Sequence, residues 1–298
     1  MPQISSLRLV IDETSARQRA DKFLLAQPEL QPYARAAIQK LFVDNLVLVN
    51  DQPVKSGHKL KIGEVVTADI SPLQAEPDAI VLPILYEDAD VIVINKPAGV
   101  LTHTNSAYRR EASVASYIRS KLSGELSGER GGIVHRLDRR TSGIIICAKN
   151  QAALSWLQKQ FAIRKVKKTY IAVVQGMLQP AEAIIDAPIA RNANKPKTFH
   201  VDPSGKTAQT TYHVIADSQG NAVVRLEPMT GRTHQLRVHL AYVGHPILGD
   251  DLYNPHADGP LLLHAAQLEI TLPNRERATF TAQVPDYFPA EAREATHA

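Results

Sequence analysis

Apolar positions recur along this chain with two different periods, and the change of period marks its organisation. Ala20, Phe23, Leu24 and Leu25 have helical spacing, and Ala37, Ile38, Leu41 and Phe42 repeat it beyond a break at Pro32. Leu46-Val47-Leu48-Val49 then reads as a strand ended by the turn Asn50-Asp51-Gln52-Pro53, and a last strand runs from Val65 to Ile70 after Gly63. Two short helices and a small hairpin make a first unit, residues 1–72, that is small for independent stability. Ser71 to Pro83 carries three prolines and reads as a linker, with residues 73–83 as its body.

Beyond the linker the period is mostly that of strands. Val91 to Ile94 forms a short apolar run closed by the turn sequence Asn95-Lys96-Pro97-Ala98-Gly99, in which Pro and Gly are expected mainly to shape the turn. Residues 106–130 are polar and predict a helix plus a flexible loop, the loop favoured by Ser123-Gly124 and Ser127-Gly128. Gly143 leads into a second buried run, Ile144 to Ala148, followed by a helix over Gln151–Ala162. From Tyr170 onward most segments read as strands: Tyr170–Gln175, Thr207–Ile215, Ala222–Glu227, Leu262–Ile270 and Arg277–Ala282. One helix interrupts them, with Leu236, Leu240 and Val243 on its apolar side. Strands and helices do not alternate strictly and no repeat is present, so the pattern predicts an α+β fold around a mainly antiparallel sheet, spanning residues 84–288. Residues 289–298 read as a frayed tail.

Composition adds limits. Of 298 residues 44% are hydrophobic and 21% charged, which excludes disorder over the whole length. The net charge of +4 is compatible with a polyanionic partner without demanding one. Its distribution is more informative: Arg164, Lys165, Lys167 and Lys168 lie together, as do Arg136, Arg139 and Arg140. Each cluster is either a solvated face or a contact surface for phosphates. The single cysteine, Cys147, excludes an internal disulfide and sits in an apolar run as a buried small hydrophobe. The first ten residues hold no signal-like apolar segment, and no stretch approaches the roughly 18 apolar residues of a membrane span, so a cytoplasmic protein with no membrane partner is expected. His234 and His239 are five apart rather than four, with no cysteine pair nearby, which argues against a metal site.

The segment Gly131-Gly132-Ile133-Val134-His135-Arg136-Leu137-Asp138-Arg139-Arg140-Thr141-Ser142-Gly143 places one carboxylate among three arginines at the mouth of a buried strand. Nearby cations favour an ionised carboxylate, which can serve as a covalent nucleophile. The alternative is an aspartate that only organises its loop. His135-Arg136-Leu137-Asp138 with Thr141-Ser142-Gly143 resembles the signature of the RluA-type pseudouridine synthases, the family that includes RluC and RluD. Three further blocks resemble the same family in order: Tyr86-Glu87-Asp88 with Val91 to Gly99, then Lys168-Thr169-Tyr170-Ile171-Ala172, then Gly231 to Leu240 with Gly244-His245-Pro246 and Gly249-Asp250. One departure is Arg140, where the family usually has an acidic residue.

The resemblance, which covers roughly residues 80 to 285, implies an isomerase that converts selected uridines of structured RNA to pseudouridine. It assigns Asp138 to the attack on the nucleotide and Tyr170 to packing on the uracil, with a possible role as base. It assigns Arg232 to pairing with the aspartate, and Arg136 to the gap left by a flipped nucleotide. A base inside a helix is out of a carboxylate's reach, so extrusion is required; an aromatic face and a planar guanidinium suit the two stacking roles. The reaction exchanges a C–N for a C–C bond without net redox change, so no cofactor is expected.

The first unit resembles an S4 RNA-binding domain through Arg19 to Leu24, Arg35, Gln39-Lys40-Leu41 and Val47 to Asn50. Ala34 and Ala36 stand where serine is common there, and Asn45 and Asp51 where glycine is common. Arg35 and Lys40, with Lys165, Lys167 and Lys168 of the second unit, are the candidate phosphate contacts. Ribosomal RNA of the large subunit is favoured over tRNA as partner, by analogy of fold, and a monomer is expected. Two rival readings are a non-catalytic RNA-binding protein, which has no need for Asp138, Tyr170 and Arg232 together, and a glycosidase, which would need a second carboxylate as general acid.

Overall fold

The computed structural model describes residues 5–104, 111–123, 126 and 131–294; of these, 5–79 with 104 and 111–112 pack as one unit, and 80–103 with 113–123, 126 and 131–294 as another. In the first unit β1 (Ser6–Val10), α1 (Ala20–Leu25), α2 (Arg35–Val43), β2 (Val47–Val49), β3 (Gln52–Pro53), β4 (Val65–Asp69) and the single turn α3 (Ser71–Gln74) follow one another. The strands form an antiparallel sheet in the order β1-β4-β2-β3. Leu24, Ile38, Leu41, Val47 and Val66 form its core, which uses the helical positions expected from the sequence. Asn45 and Asp51 have φ of 57° and 63°, a left-handed conformation that Asn and Asp tolerate better than other side chains. The expected linker starts later than its prolines suggest: Pro72 opens α3 at a position where its missing N–H costs nothing, and Leu73 is buried in the first unit's core.

The second unit contains β5 (Ile84–Glu87), β6 (Val91–Lys96), α4 (Val114–Ile118), β7 (Ser142–Ala148), α5 (Gln151–Ala162), β8 (Lys167–Val174), β9 (Glu182–Asp186), β10 (Ile189–Arg191), β11 (Phe199–Val201), β12 (Gln209–Ser218), β13 (Asn221–Pro228), α6 (Gln235–Tyr242), β14 (Leu263–Thr271), β15 (Arg277–Thr281) and α7 (Ala290–Glu294). Nine strands form one sheet ordered β5-β6-β7-β14-β8-β13-β12-β9, with β15 on β14. Every pairing is antiparallel except β7 with β14. The fold is therefore α+β around a mainly antiparallel sheet, as the pattern of periods implies.

The parallel pairing rests on Gly143. Its φ is +111°, and a Cβ there would lie 2.2 Å from the carbonyl oxygen of Ala265. Only glycine lets β7 approach β14 this closely at that point. β7 is buried along its whole length, and Val91, Val93, Ile144, Ile146 and Leu157 bring β6, β7 and α5 into one core. Cys147 lies fully buried within β7, as expected.

Two segments differ from expectation. The hairpin β10–β11 and strand β9 were not indicated by period, and residues 290–294 form α7 instead of fraying. Ala292 is buried beside Val284 and Phe288, and the Ser218 hydroxyl donates to Glu291 Oε2 at 3.0 Å, which anchors the helix. The loop expected around Gly124, Ser127 and Gly128 lies outside the described residues, as do residues 295–298.

Candidate active site

Asp138 stands on the connection that feeds β7, and that connection is tied down on both sides of it. The Leu137 N–H donates to Thr102 Oγ1 (3.1 Å), whose hydroxyl donates back to the Leu137 carbonyl (2.8 Å). The Arg139 carbonyl accepts from the Gly99 N–H (2.8 Å) and from Lys96 Nζ (3.3 Å), and Arg139 Nε donates to the Gly99 carbonyl (3.0 Å). His135 Nε2 accepts the Ile146 N–H at 3.1 Å, with its ring stacked on Phe161. Burial pushes the His135 pKa down to about 3, which keeps the ring neutral and able to accept.

The turn from Lys96 to Gly99 thus does more than reverse the chain. Lys96 is fully buried, and its ammonium donates to the carbonyls of Pro97 (3.0 Å), Val100 (2.9 Å) and Arg139. Burial pushes its pKa down to about 7, partly offset by the nearby Asp138 carboxylate. A buried cation without counter-ion contact survives where carbonyl dipoles satisfy it; here three do so, and they belong to both loops that frame Asp138.

The facing wall comes from β8 and α6. Strand alternation directs Lys168 and Tyr170 into one pocket and Lys167 away from it. Lys168 Nζ donates to the Thr230 carbonyl (3.2 Å), and burial pushes its pKa down to about 8. Burial, followed by the Asp138 charge, raises the Tyr170 pKa far above the ordinary phenol value, so Tyr170 presents a neutral ring. A resting phenolate is excluded by the same desolvation that makes the ring face useful for stacking.

From α6, Arg237 donates to Asp138 Oδ2 through Nη1 (3.4 Å) and binds Asp250 in a fork, Nε to Oδ2 at 2.8 Å and Nη2 to Oδ1 at 2.7 Å. Its guanidinium carbon lies 5.2 Å from the centre of the Tyr253 ring. Asp250 also accepts the Leu252 and Tyr253 N–H groups (3.0 and 3.2 Å). Arg237 is thereby held on three sides, and its remaining arm reaches Asp138. His234, at the N-terminal end of α6, places Nε2 3.8 Å from the same Oδ2.

Asp138, Lys168, Tyr170, His234 and Arg237 line a pocket of about 520 Å³, within the range that receives small ligands. Asp138, Tyr170, Arg136, Lys168 and Arg232 all line it, so the structure brings together the residues that the sequence motifs single out. Arg232 differs from expectation in its partner. Its Nε donates to the Thr207 carbonyl (3.0 Å), and its N–H to Gln235 Oε1 (3.0 Å); the arginine facing Asp138 is Arg237. The reason is geometric: Arg232 precedes the left-handed His234, which turns the chain into α6, and the side chains that reach Asp138 are His234 at that turn and Arg237 inside the helix.

Among the other expected contacts, Arg164 lines the pocket, Lys165 does not, and Lys167 pairs with Glu269 at 3.4 Å. In the first unit Arg35 is exposed at 3.9 Å from Asp21, and Lys40 pairs with Asp44. Arg140 is held by Asp251 (2.8 Å) and the Gly259 carbonyl (2.9 Å), a local pairing that suits the basic residue found there. His239 spends both ring nitrogens on Thr210 Oγ1 (3.0 Å) and the Ala187 carbonyl (2.9 Å), a structural use. Lys96, Arg237 and Asp250 were given no site role from the sequence, and His234 was weighed there only as a metal ligand and set aside; their presence within two motif blocks was the available signal.

The family model described as RNA pseudouridylate synthase matches residues 90–242, the stretch that carries Asp138, Tyr170 and Arg237. The chain is 35% identical over 290 residues to a ribosomal large subunit pseudouridine synthase C of Vibrio vulnificus, covering 90% of this chain and 89% of that one. It is 44% identical over 196 residues to the dual-specificity RNA pseudouridine synthase RluA of Yersinia pestis, covering 64% of this chain and 92% of that one. Its fold is similar to the solved structure of human RNA pseudouridylate synthase domain containing 1, with a TM-score of 0.59 and 28% identity over 74% of this chain and 90% of that one. The protein belongs to the RluA family of RNA pseudouridine synthases and is an isomerase.

Proposed function

We propose that this enzyme isomerises selected uridines of large-subunit ribosomal RNA, with Asp138 as the nucleophile. The observation that carries the chemistry is the half-buried Asp138 carboxylate in the pocket, tethered through Oδ2 by Arg237 and facing the neutral ring of Tyr170. The uridine is flipped out of its helix into the pocket, at a cost of a few kcal/mol for unstacking. Tyr170 stacks on the uracil, and Arg136, exposed at the pocket rim, fills the vacated position with its planar guanidinium. Asp138 attacks the nucleotide, the C1′–N1 bond breaks, the base turns, C1′ bonds to C5, Asp138 is released as a carboxylate, and the C5 proton is lost to solvent while N1 takes one up.

The ribosomal target is supported by the relative from Vibrio vulnificus, which is named for the large ribosomal subunit and aligns along most of both chains. The S4-like first unit would hold RNA through phosphate contacts, with Arg35 foremost because it is the more exposed of the two candidates there. The direct test is pseudouridine mapping on total RNA from cells with and without the protein. Loss of modification at defined 23S-type ribosomal sites supports the proposal; loss confined to tRNA would reject the ribosomal target.

A further inference from the structure

His234 has a side chain that no step above uses, although its Nε2 lies 3.8 Å from Asp138 Oδ2. Its backbone adopts the left-handed conformation at φ 57°, which is uncommon for a non-glycine residue and is worth a functional explanation when it occurs beside a catalytic group. Phe199 and Tyr253 hold its ring edge-on, with centroids 5.5 and 5.7 Å away. Burial lowers its pKa below the ordinary imidazole value against the pull of Asp138, so the ring is neutral and carries one proton.

The hydrogen bonds determine where that proton is. The Tyr253 hydroxyl accepts the Phe199 N–H at 2.9 Å and lies 2.8 Å from His234 Nδ1. If Nδ1 carried the proton, the tyrosine proton would lack an acceptor among the described residues, and a bare Nε2 lone pair would face the Asp138 carboxylate. If Tyr253 donates to Nδ1, both problems vanish: the hydroxyl is satisfied and Nε2–H points at Asp138 Oδ2. The 3.8 Å separation becomes a hydrogen bond with a side-chain shift of under about 1 Å, and catalytic hydrogen bonds commonly tighten only once substrate is bound.

We propose that His234 is a positioning residue for pseudouridine formation: its Nε2–H, fixed by Tyr253, joins Arg237 in gripping Oδ2 of Asp138 and leaves Oδ1 as the oxygen that meets the nucleotide. The inference rests on the proposed nucleophilic role of Asp138. His234 neither gains nor loses a proton in it. A side chain displaced by about 1 Å from its productive position can lose about 100-fold in rate, which sets the upper end of the expected effect.

The test uses the full-length protein labelled with 15N-histidine. The nitrogen spectrum should show His234 protonated at Nε2 and bare at Nδ1, and Tyr253→Phe should abolish this preference. In single-turnover assays at saturating enzyme, His234→Ala should lower the rate by roughly 10- to 100-fold with RNA affinity nearly unchanged, and His234→Gln, whose amide can reach as Nε2–H does, should recover much of it. The opposite tautomer in the wild-type spectrum overturns the proposal whether or not the variants fold. So does a folded His234→Ala variant with the wild-type saturating rate, or one whose only defect is weaker RNA binding. An active Asp138→Asn variant would instead strike at the nucleophile assignment itself, so the two failures are distinguishable.

Discussion

At the scale of single residues, Arg237 is the side chain whose loss should be felt most widely. It holds the fully buried Asp250 in a fork while its third arm reaches Asp138. Arg237→Ala leaves Asp250 as an uncompensated buried charge, which costs about 3 to 5 kcal/mol. Chemical denaturation should register that loss, and Arg237→Lys, which keeps the charge but not the fork, should fold better yet remain slow in single-turnover assays. Lys168 makes a separate, pH-dependent prediction. Its pKa is pushed down to about 8 by burial, so it is charged below that pH and neutral above it. If it attracts an RNA phosphate, affinity falls as pH rises through about 8, and Lys168→Met removes that part of the profile while weakening binding at pH 7. An unchanged profile in Lys168→Met would assign the dependence to another group.

The same scale shows what the motifs could and could not convey. Asp138 and Tyr170 were legible because each is the one residue of its chemistry within a distinctive block. The partner of Asp138 was not, because Arg232 and Arg237 occupy one block and their directions depend on where α6 begins. A left-handed histidine decides that point, and no period in the sequence announces it. Lys96 was hidden for a different reason: a lysine in a turn sequence ordinarily points to solvent, and its burial depends on a loop 43 residues further along the chain.

At the scale of elements, the strongly apolar or strictly periodic segments were legible, β6, β7 and α5 among them. β8 extends to Lys167 because its charged first residues still alternate between pocket and outer face. β9, β10 and β11 were missed because they are only three to five residues long, too short to establish a period, and α7 because its anchoring depends on Ala292 and Glu291 meeting distant residues. Gly143 is the element-scale test of the fold. Gly143→Ala sets a Cβ against the Ala265 carbonyl and strains a positive φ, so β7 and β14 must separate beside the Asp138 loop. We expect at least about 2 kcal/mol of destabilisation, a fall in melting temperature of roughly 4 to 8 °C, and loss of activity. A thermal melt superimposable on the wild type would show that the parallel pairing tolerates a side chain.

At the scale of the whole molecule, the expected division of labour between RNA holding and chemistry is open to two measurements. Lys167 and Lys40 are paired with acidic neighbours, which leaves Arg164, Lys165, Lys168 and the more exposed Arg35 as the stronger candidates for phosphates. About four such contacts give a log–log salt slope of roughly −2.8 to −3.6, and a nearly flat slope would show that these residues form only a solvated face. Deleting residues 1–70 should weaken RNA binding while the saturating rate is largely kept, since every residue lining the pocket lies in the second unit.

The central claim is that Asp138 performs the chemistry, and tritium release from RNA labelled at uridine C5 reads that chemistry directly. Each isomerisation expels the C5 proton, so release counts turnovers. Asp138→Asn keeps the size and polarity of the side chain and removes its charge. The account predicts that release falls by at least about 1000-fold while RNA affinity and the thermal melt stay close to wild type. Tritium release at the wild-type rate from purified Asp138→Asn protein would contradict it.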